Sequence, residues 1–370
     1  GTTVKSGKAA ALLAAMLLIH GAFIQPAEAA GEVVWAPQGS TATGTSDENA
    51  AHGSGAVAGG SSVSNAFAWG QNAKAIASHA IALGTGATAS GDGSYAQGVN
   101  AKATGVEAIA MGRDSQALGH YAFAAAGGIV EATSQDYGVA IGEASKVTKD
   151  SGVALGYSNV SGGVLSTAVG HFAKALGDNS FAAQGGVTES TASAGVAIGA
   201  GTKVTGSNAI AIGSNNAAYN WGTGGGYITP NDYTVASGIN SIAIGRKLTS
   251  SGWGSIAIGS DTKASANNAV AVGNGAVASA QRASAFGGGI ASGKYSTVLG
   301  FGTASGDNSI SLGGTSAGKY SLAAIGATTE TAAENAFAVG MGAKASLADS
   351  VALGSASVAN TASGAKGYDP

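Results

Sequence analysis

The hexapeptide Asn240-Ser-Ile-Ala-Ile-Gly245 is followed, one period later, by Gly254-Ser-Ile-Ala-Ile-Gly259 and then by Asn268-Ala-Val-Ala-Val-Gly273. The closing glycines of these three hexapeptides are 14 residues apart. Related hexapeptides recur along most of the chain, and their closing glycines stand at positions 70, 84, 98, 112, 142, 156, 170, 185, 199, 213, 245, 259, 273, 287, 300, 313, 326, 340 and 354. A short period of this kind is typical of a solenoid, in which each repeat forms one coil.

Within each period, apolar residues alternate with alanine or polar residues, which indicates β-strands. Between Gly70 and Gly84, one strand places Ile81 and Leu83 on one face and alanines on the other. We expect the bulky residues of one strand to meet the alanines of the opposite strand inside the coil, with glycines at the sharp turns. The sequence therefore predicts an all-β protein, a parallel β-roll of 14-residue coils with a core of Ile/Val pairs and alanine.

The composition excludes several classes of protein. The 370 residues include 63 glycines, 4 prolines and no cysteine, and only 10% of them are charged. Without a Gly-X-Y period the chain is not collagen, and without cysteine it has no disulfide, thiolate metal site or cysteine nucleophile. A net charge of −3 gives no electrostatic footprint for nucleic acid. Because no catalytic or metal-binding motif is present, we expect neither an enzyme nor a cofactor.

The chain divides into four segments. Residues 1–29 are predicted to be the C-terminal part of a signal peptide, because Lys5 and Lys8 precede an apolar run and small residues precede a cleavage site after Ala29. Residues 30–64 are predicted to be a leader or an irregular N-terminal coil, and residues 65–360 the repeats. Residues 361–370 are expected to begin a connector. The mature chain is therefore expected to be exported.

A ladder of lysines runs through the repeats, four residues after the closing glycine. Its members are Lys74, Lys102, Lys146, Lys174 and Lys203, followed by Lys263 and Lys344. One interpretation is a solvated face on which lysines alternate with other residues and so avoid self-repulsion. The other is a basic stripe that binds acidic glycans or other polyanions.

The longest interruption of the period lies between Gly213 and Gly245, and we predict a loop insertion over residues 214–238. It carries four aromatic candidates for ligand binding: Tyr219, Trp221, Tyr227 and Tyr233. Exposed Trp and Tyr side chains are the types that anchor protein interfaces. The alternative is that these rings only hold a long loop against the roll.

The repeated Asn-Ser-Ile/Val-Ala-Ile/Val-Gly hexapeptide at this period resembles the head domain of the trimeric autotransporter adhesins, the YadA-like family. The resemblance covers residues 65–354. It implies a left-handed β-roll, a homotrimer, display on the surface of a Gram-negative bacterium and attachment to a host matrix protein such as collagen, or to a cell-surface receptor. In the family the head repeats are linked to collagen binding, which maps onto repeats such as 240–245 and makes Asn240 and Ser241 candidates. These residues also form the repeat itself, so a structural role competes with a ligand role.

The resemblance also implies contact with a membrane only through a C-terminal anchor, which members of the family reach through a neck and a coiled-coil stalk. The function that we expect is therefore that of a non-enzymatic adhesin head, which attaches through repeated weak contacts. The alternative is a structural spacer or autoagglutination module of a surface fibre, without a ligand site of its own.

Overall fold

The computed structural model describes residues 39–43, 49–132, 137–213, 219–220, 226–227, 233–324 and 329–362. The predicted signal peptide lies outside these residues, as do Trp221 and residues 363–370 of the predicted connector. The chain forms two compact units, Gly1–Leu165 and Ser166–Pro370. Every regular element in the described part is a strand of two to five residues. The predicted all-β parallel β-solenoid with coils of about 14 residues is confirmed.

The strands of the first unit, in chain order, are β1 (Thr41–Thr43), β2 (Ala50–His52), β3 (Val57–Gly59), β4 (Phe67–Trp69), β5 (Lys74–Ala75), β6 (Ile81–Leu83), β7 (Thr88–Ala89), β8 (Tyr95–Gln97), β9 (Lys102–Ala103), β10 (Ile109–Met111), β11 (Gln116–Ala117), β12 (Phe123–Ala125), β13 (Ile129–Val130), β14 (Val139–Ile141), β15 (Lys146–Val147), β16 (Val153–Tyr157) and β17 (Val160–Ser161). The even-numbered strands form one parallel sheet, sheet A, and the odd-numbered strands form sheet B.

In the second unit the strands are β18 (Thr167–His171), β19 (Lys174–Ala175), β20 (Phe181–Ala183), β21 (Val187–Thr188), β22 (Val196–Ile198), β23 (Thr202–Val204), β24 (Ile210–Ile212), β25 (Tyr219–Asn220), β26 (Gly226–Tyr227), β27 (Thr234–Ala236), β28 (Ile242–Arg246), β29 (Thr249–Ser250), β30 (Ile256–Ser260), β31 (Lys263–Ala264), β32 (Val270–Asn274), β33 (Val277–Ala278), β34 (Ser284–Phe286), β35 (Ile290–Ala291), β36 (Thr297–Leu299), β37 (Thr303–Ala304), β38 (Ile310–Leu312), β39 (Thr315–Ser316), β40 (Leu322–Ala324), β41 (Glu330–Thr331), β42 (Phe337–Val339), β43 (Lys344–Ala345), β44 (Val351–Leu353) and β45 (Val358–Ala359). Even-numbered strands again form sheet A and odd-numbered strands sheet B, except for the separate antiparallel pair β25–β26.

Successive coils stack in exact repeat register within each unit. In the second unit Ile242 pairs with Ile256, and Ile256 pairs with Val270, so the hexapeptides lie directly on one another. The first unit contains coils before position 65, because β2 pairs with β4 and β3 pairs with β5. Part of the predicted leader, residues 50–59, therefore forms a coil of the solenoid.

The turns explain two residues of the hexapeptide. Asn240 has a φ of 57°, in the left-handed region that asparagine tolerates better than most residues. Gly245 has a φ of 133°, and a Cβ atom there would lie 1.8 Å from the carbonyl oxygen of Gly259 in the next coil. The predicted collision between a side chain at a closing glycine and the adjacent coil is confirmed at Gly245 and at several others, such as Gly259 and Gly273, but at Gly313 and Gly354 an added Cβ would meet no atom within 4 Å.

The predicted core of Ile/Val pairs is wrong. In the hexapeptide of β28, Ala243 is fully buried, whereas Ile242 is half-buried and Ile244 is 38% exposed. In the three-residue strands of sheet A the central residue points inward and its neighbours point outward, because a coil of this length leaves room only for small side chains between its sheets. The interior of a single chain is therefore mostly alanine, with serine and threonine.

Coils with an inward valine show how little space there is between the two sheets. Val130 in sheet B faces Gly138, where an added Cβ would lie 2.7 Å from the valine Cγ1. Val204 faces Gly195 in the same way, with a corresponding distance of 3.0 Å. Each inward valine is thus matched by a glycine on the opposite side of the coil, which keeps the interior close-packed without overlap.

Candidate functional site

Sheet A presents a continuous row of large apolar side chains to the outside of each unit. We call the row in the second unit the apolar face, and its members include Ile210, Ile212, Ile242, Ile244, Ile256, Ile258, Val270, Val272, Leu299, Ile310 and Leu312. Several of them are more than a third exposed, among them Ile244, Leu299 and Ile310. A contiguous apolar surface of this extent is typical of a protein–protein contact.

The predicted lysine ladder lies on the outer face of sheet B. In the first unit Lys74 pairs in register with Thr88, and Thr88 pairs with Lys102. Lys146 is neutralised by Glu131, with 2.5 Å between Nζ and Oε1. Among the described residues Lys74 and Lys102 have no ion pair. The positive charge of the ladder is therefore interrupted at Lys146, where Glu131 offsets it.

In the second unit, too, some lysines of the ladder form ion pairs and others do not. Lys203 Nζ lies 2.9 Å from Glu189 Oε1, and Lys344 Nζ lies 3.2 Å from Glu330 Oε2. Lys174 and Lys263 have no ion pair within the part of this unit that the structure describes. The described coils therefore carry no uniform basic stripe. The lysines without an ion pair are separated from one another by uncharged residues and by lysines that are paired with glutamate.

One such cation borders a groove of about 630 Å³ on the outer face of sheet B in the second unit. We call this groove the lysine slot, and its lining consists of Phe172, Lys174, Leu176, Gly185, Val187, Glu189, Gly201, Thr202, Lys203, Tyr233 and Val235. It brings together three of the residues singled out in the sequence, Lys174, Lys203 and Tyr233.

The register of sheet B explains the shape of the slot. Lys174, Val187, Lys203 and Val235 occupy the same position in four successive coils. Two residues earlier in each coil stand, in the same order, Phe172, Gly185, Gly201 and Tyr233. The two glycines have no side chain, so a depression forms between the two rings.

The predicted insertion is shorter than residues 214–238. Thr234–Ala236 forms β27 and pairs with β23, so the regular coil resumes at this strand. Within the insertion, β25 and β26 form an antiparallel pair in which Tyr219 is opposite Tyr227. Tyr233 follows at the edge of the coil, where its side chain is 42% exposed. A ligand-binding role for Tyr219, Trp221, Tyr227 and Tyr233 stays a prediction.

Asn240 and Ser241 have structural positions. Asn240 occupies the left-handed turn, and its backbone N–H donates a 2.9 Å hydrogen bond to the carbonyl oxygen of Ser207. Ser241 is fully buried, and its Oγ has no hydrogen-bond partner. The turn accounts for Asn240, and burial shields Ser241 from solvent; a ligand-binding role for Asn240 and Ser241 stays a prediction.

A charged cluster occupies a corner of the second unit. Asp261 accepts a 3.0 Å hydrogen bond from the Ser260 hydroxyl and lies 3.4 Å from Lys247 Nζ and 3.2 Å from Arg246 Nη2. The Ser260 hydrogen bond, together with the two cations, holds the pKa of the Asp261 carboxyl below its usual range. This cluster is exposed and joins neighbouring coils.

Two classes of feature are missing from the described residues. No group of three or more His, Asp or Glu side chains in the described ranges is placed to hold a metal ion. None of the described residues belongs to a helix with the length and apolar character needed to cross a membrane.

These features define a class of protein: a parallel β-solenoid with an alanine core, one apolar outer face, and one outer face on which lysine and threonine alternate with valine and isoleucine. The model of the YadA head domain repeat matches residues 64–87, 89–115, 103–125, 134–159, 161–183, 190–216, 233–247, 250–276, 267–289, 291–316 and 334–357. The chain belongs to the YadA head family, a family of non-enzymatic adhesin heads whose members are exposed on the surface of Gram-negative bacteria. A comparison with curated proteins found no match.

The family matches leave out residues 217–232, which belong to the insertion. They include Phe172, Lys174 and Lys203 of the lysine slot but leave out Gly185, Val187 and Glu189. Sequence reasoning found two lysines and one tyrosine of the slot but missed Phe172, Val187 and Glu189. No repeat signal in the sequence marks these three residues, and the register of sheet B is what places them beside Lys174 and Lys203.

Proposed function

We propose that three copies of this chain pack through their apolar faces into the head of a surface adhesin, which attaches the bacterium to a host matrix protein of the collagen type or to a cell-surface receptor. The observation that carries the proposal is the apolar face itself. Its isoleucines are only half-covered in one chain, although the same chain buries little except alanine in its interior.

The energetics favour self-association. Burial of apolar surface contributes about 25 cal/mol per Å², and an alanine interior supplies little of it. Covering the isoleucine rows of the apolar face with the same rows of other copies adds this missing burial. Because the rows repeat with the period of the coil, identical chains match one another along the stack.

Attachment is proposed to come from the outer faces of sheet B. The trimer carries three copies of every feature on these faces, and a surface carries many trimers. Each bound site raises the effective concentration of the next, so weak individual contacts give firm attachment.

A structural spacer or autoagglutination module is the second candidate. It is favoured by the left-handed turn at Asn240, which accounts for the asparagine of the repeat without a ligand, and by the burial of Ser241. In this case the head would form the trimer and bind other heads, but not host components.

The test begins with the solution mass of residues 31–370, measured by light scattering after chromatography. A mass three times that of the chain supports the proposed assembly, and a folded monomer overturns it. The trimer is then applied to immobilised collagen and to host cells. Deletion of residues 214–232, which spares β27, tests the insertion. Loss of attachment by a deletion variant that remains trimeric assigns binding to the insertion, whereas a trimer that binds neither surface supports the spacer.

A further inference from the structure

The lysine slot is bounded at both ends by an aromatic ring. Phe172 stands at one end and Tyr233, 42% exposed, at the other. Three coil steps separate these two residues, which is about 14 Å at about 4.8 Å per step. Gly185 and Gly201 between them add no side chain, and Val187 forms an apolar floor.

The charges of the slot are arranged around Val187. Lys174 precedes it and Lys203 follows it in register, so one cation stands on each side. Lys203 is held by Glu189 at 2.9 Å, whereas Lys174 has no ion pair among the described residues of its unit. Long lysine side chains can bring their ammonium groups over the intervening coil, so the slot has one engaged cation and one available cation beside an apolar floor.

We propose that the lysine slot binds a carboxylated sugar residue of a host glycan, with the carboxylate at Lys174 and the body of the sugar between Phe172 and Tyr233. The proposal rests on the adhesive function proposed above and names a ligand class for it. The amphipathic ring of Tyr233 suits a ligand that has both C–H and hydroxyl groups on one compact body. Lys174 supplies the charge-assisted hydrogen bond that selects an acidic ligand.

The shape favours a sugar over an acidic peptide. An extended peptide advances about 3.3 Å per residue, so a segment of five residues running along the coil stack would meet the rings at both ends. A single sugar or a disaccharide fits between the rings without crossing them. The slot also lies on the outer face of sheet B, so packing of the apolar face of sheet A leaves it open.

The test titrates the full chain with sialyllactose and uses lactose as the neutral counterpart, with binding followed by saturation-transfer NMR and calorimetry. A uronate-containing disaccharide is the second acidic probe, because it separates a terminal acidic sugar from an internal one. Lys174→Gln is expected to weaken sialyllactose binding about threefold to tenfold, since one exposed charge contact is lost. Lys263→Gln is the matched control, because Lys263 has the same register position outside the slot and also lacks an ion pair among the described residues.

Glu189→Gln is expected to have the opposite effect on the affinity for acidic sugars. It releases Lys203 from its ion pair and removes a negative charge from the slot, so acidic-sugar binding is expected to tighten about twofold to threefold. If Lys174 and Glu189 had only a structural role, their substitutions would not change the affinity for acidic sugars in opposite directions. Tyr233→Ala is expected to weaken sialyllactose and the uronate probe alike, because it removes one wall of the slot.

Three results would overturn the proposal: equal binding of lactose and sialyllactose, equal effects of the Lys174 and Lys263 substitutions, or equally effective competition by a hexaglutamate peptide. The adhesive function is scored separately by attachment of the trimer to cells. If the unaltered trimer attaches and Lys174→Gln attaches equally well, the slot assignment fails and the adhesin stands. If sialyllactose binds as expected but the trimer attaches to no cell, the adhesive function fails and the slot stands.

Discussion

Replacing Ile244 by aspartate is expected to dissociate the proposed trimer. Ile244 lies at the end of a hexapeptide on the apolar face and is 38% exposed in one chain. That fraction is about 70 Å² of apolar surface, or about 1.7 kcal/mol at about 25 cal/mol per Å². Over three protomers the loss is about 5 kcal/mol, which raises the concentration of half-dissociation about 70-fold. Three carboxylates placed in a dry contact add a further desolvation cost.

The assay is light scattering after chromatography over a dilution series, with circular dichroism to show that the coils persist. Thr249→Asp is the matched control, because Thr249 points outward from sheet B in the adjoining part of the coil. It introduces the same charge on the opposite side and is expected to leave the mass unchanged. A trimer that withstands Ile244→Asp at wild-type concentrations, or one that Thr249→Asp disrupts equally, would refute the assignment of the apolar face as the contact.

Three further predictions concern stability and are checked by thermal melting. Ser241→Ala is expected to stabilise the chain by about 1 kcal/mol because it removes a buried hydroxyl without a partner, whereas Ser255→Ala is expected to destabilise it because that hydroxyl donates a 2.8 Å hydrogen bond; equal shifts would contradict this. Gly138→Ala is expected to cost about 1–3 kcal/mol through overpacking against Val130, and Val130→Ala in the same chain to recover part of it; additive losses would contradict the packing argument. The lowered pKa of Asp261 stabilises the fold at pH values above the ordinary aspartate pKa, and this contribution is lost as the pH falls through the lowered value. Asp261→Asn should therefore flatten the dependence of melting temperature on pH in acid, and an unchanged profile would count against the cluster.

Much of the fold could be predicted because the period is local. The spacing of the closing glycines determines the length of a coil, and the two-fold alternation determines that its segments are strands. Gly245 could be assigned to a turn from its type alone, and the structure shows the contact that requires it. The family follows from the same hexapeptides.

The candidate site could be predicted only in part. Lys174, Lys203 and Tyr233 were visible as single residues, but their meeting depends on the pairing of β19, β21, β23 and β27. The last of these pairings crosses the insertion, and no fixed spacing in the sequence indicates it. Phe172 and Glu189 carry no repeat signal, so only their positions in the coil connect them to the slot.

The sequence by itself determined the solenoid, its period, the positions of its turns and its family. Only the tertiary structure decided which face of the strands is inside. Alternation shows that Ile242 and Ile244 share one face and Ala243 lies on the other, but it does not show which of the two faces is buried. The choice is made by the closure of the coil, because two sheets joined by such short turns stand too close together for isoleucine and accept alanine. The large side chains therefore remain outside, where they form the apolar face on which the proposed assembly depends.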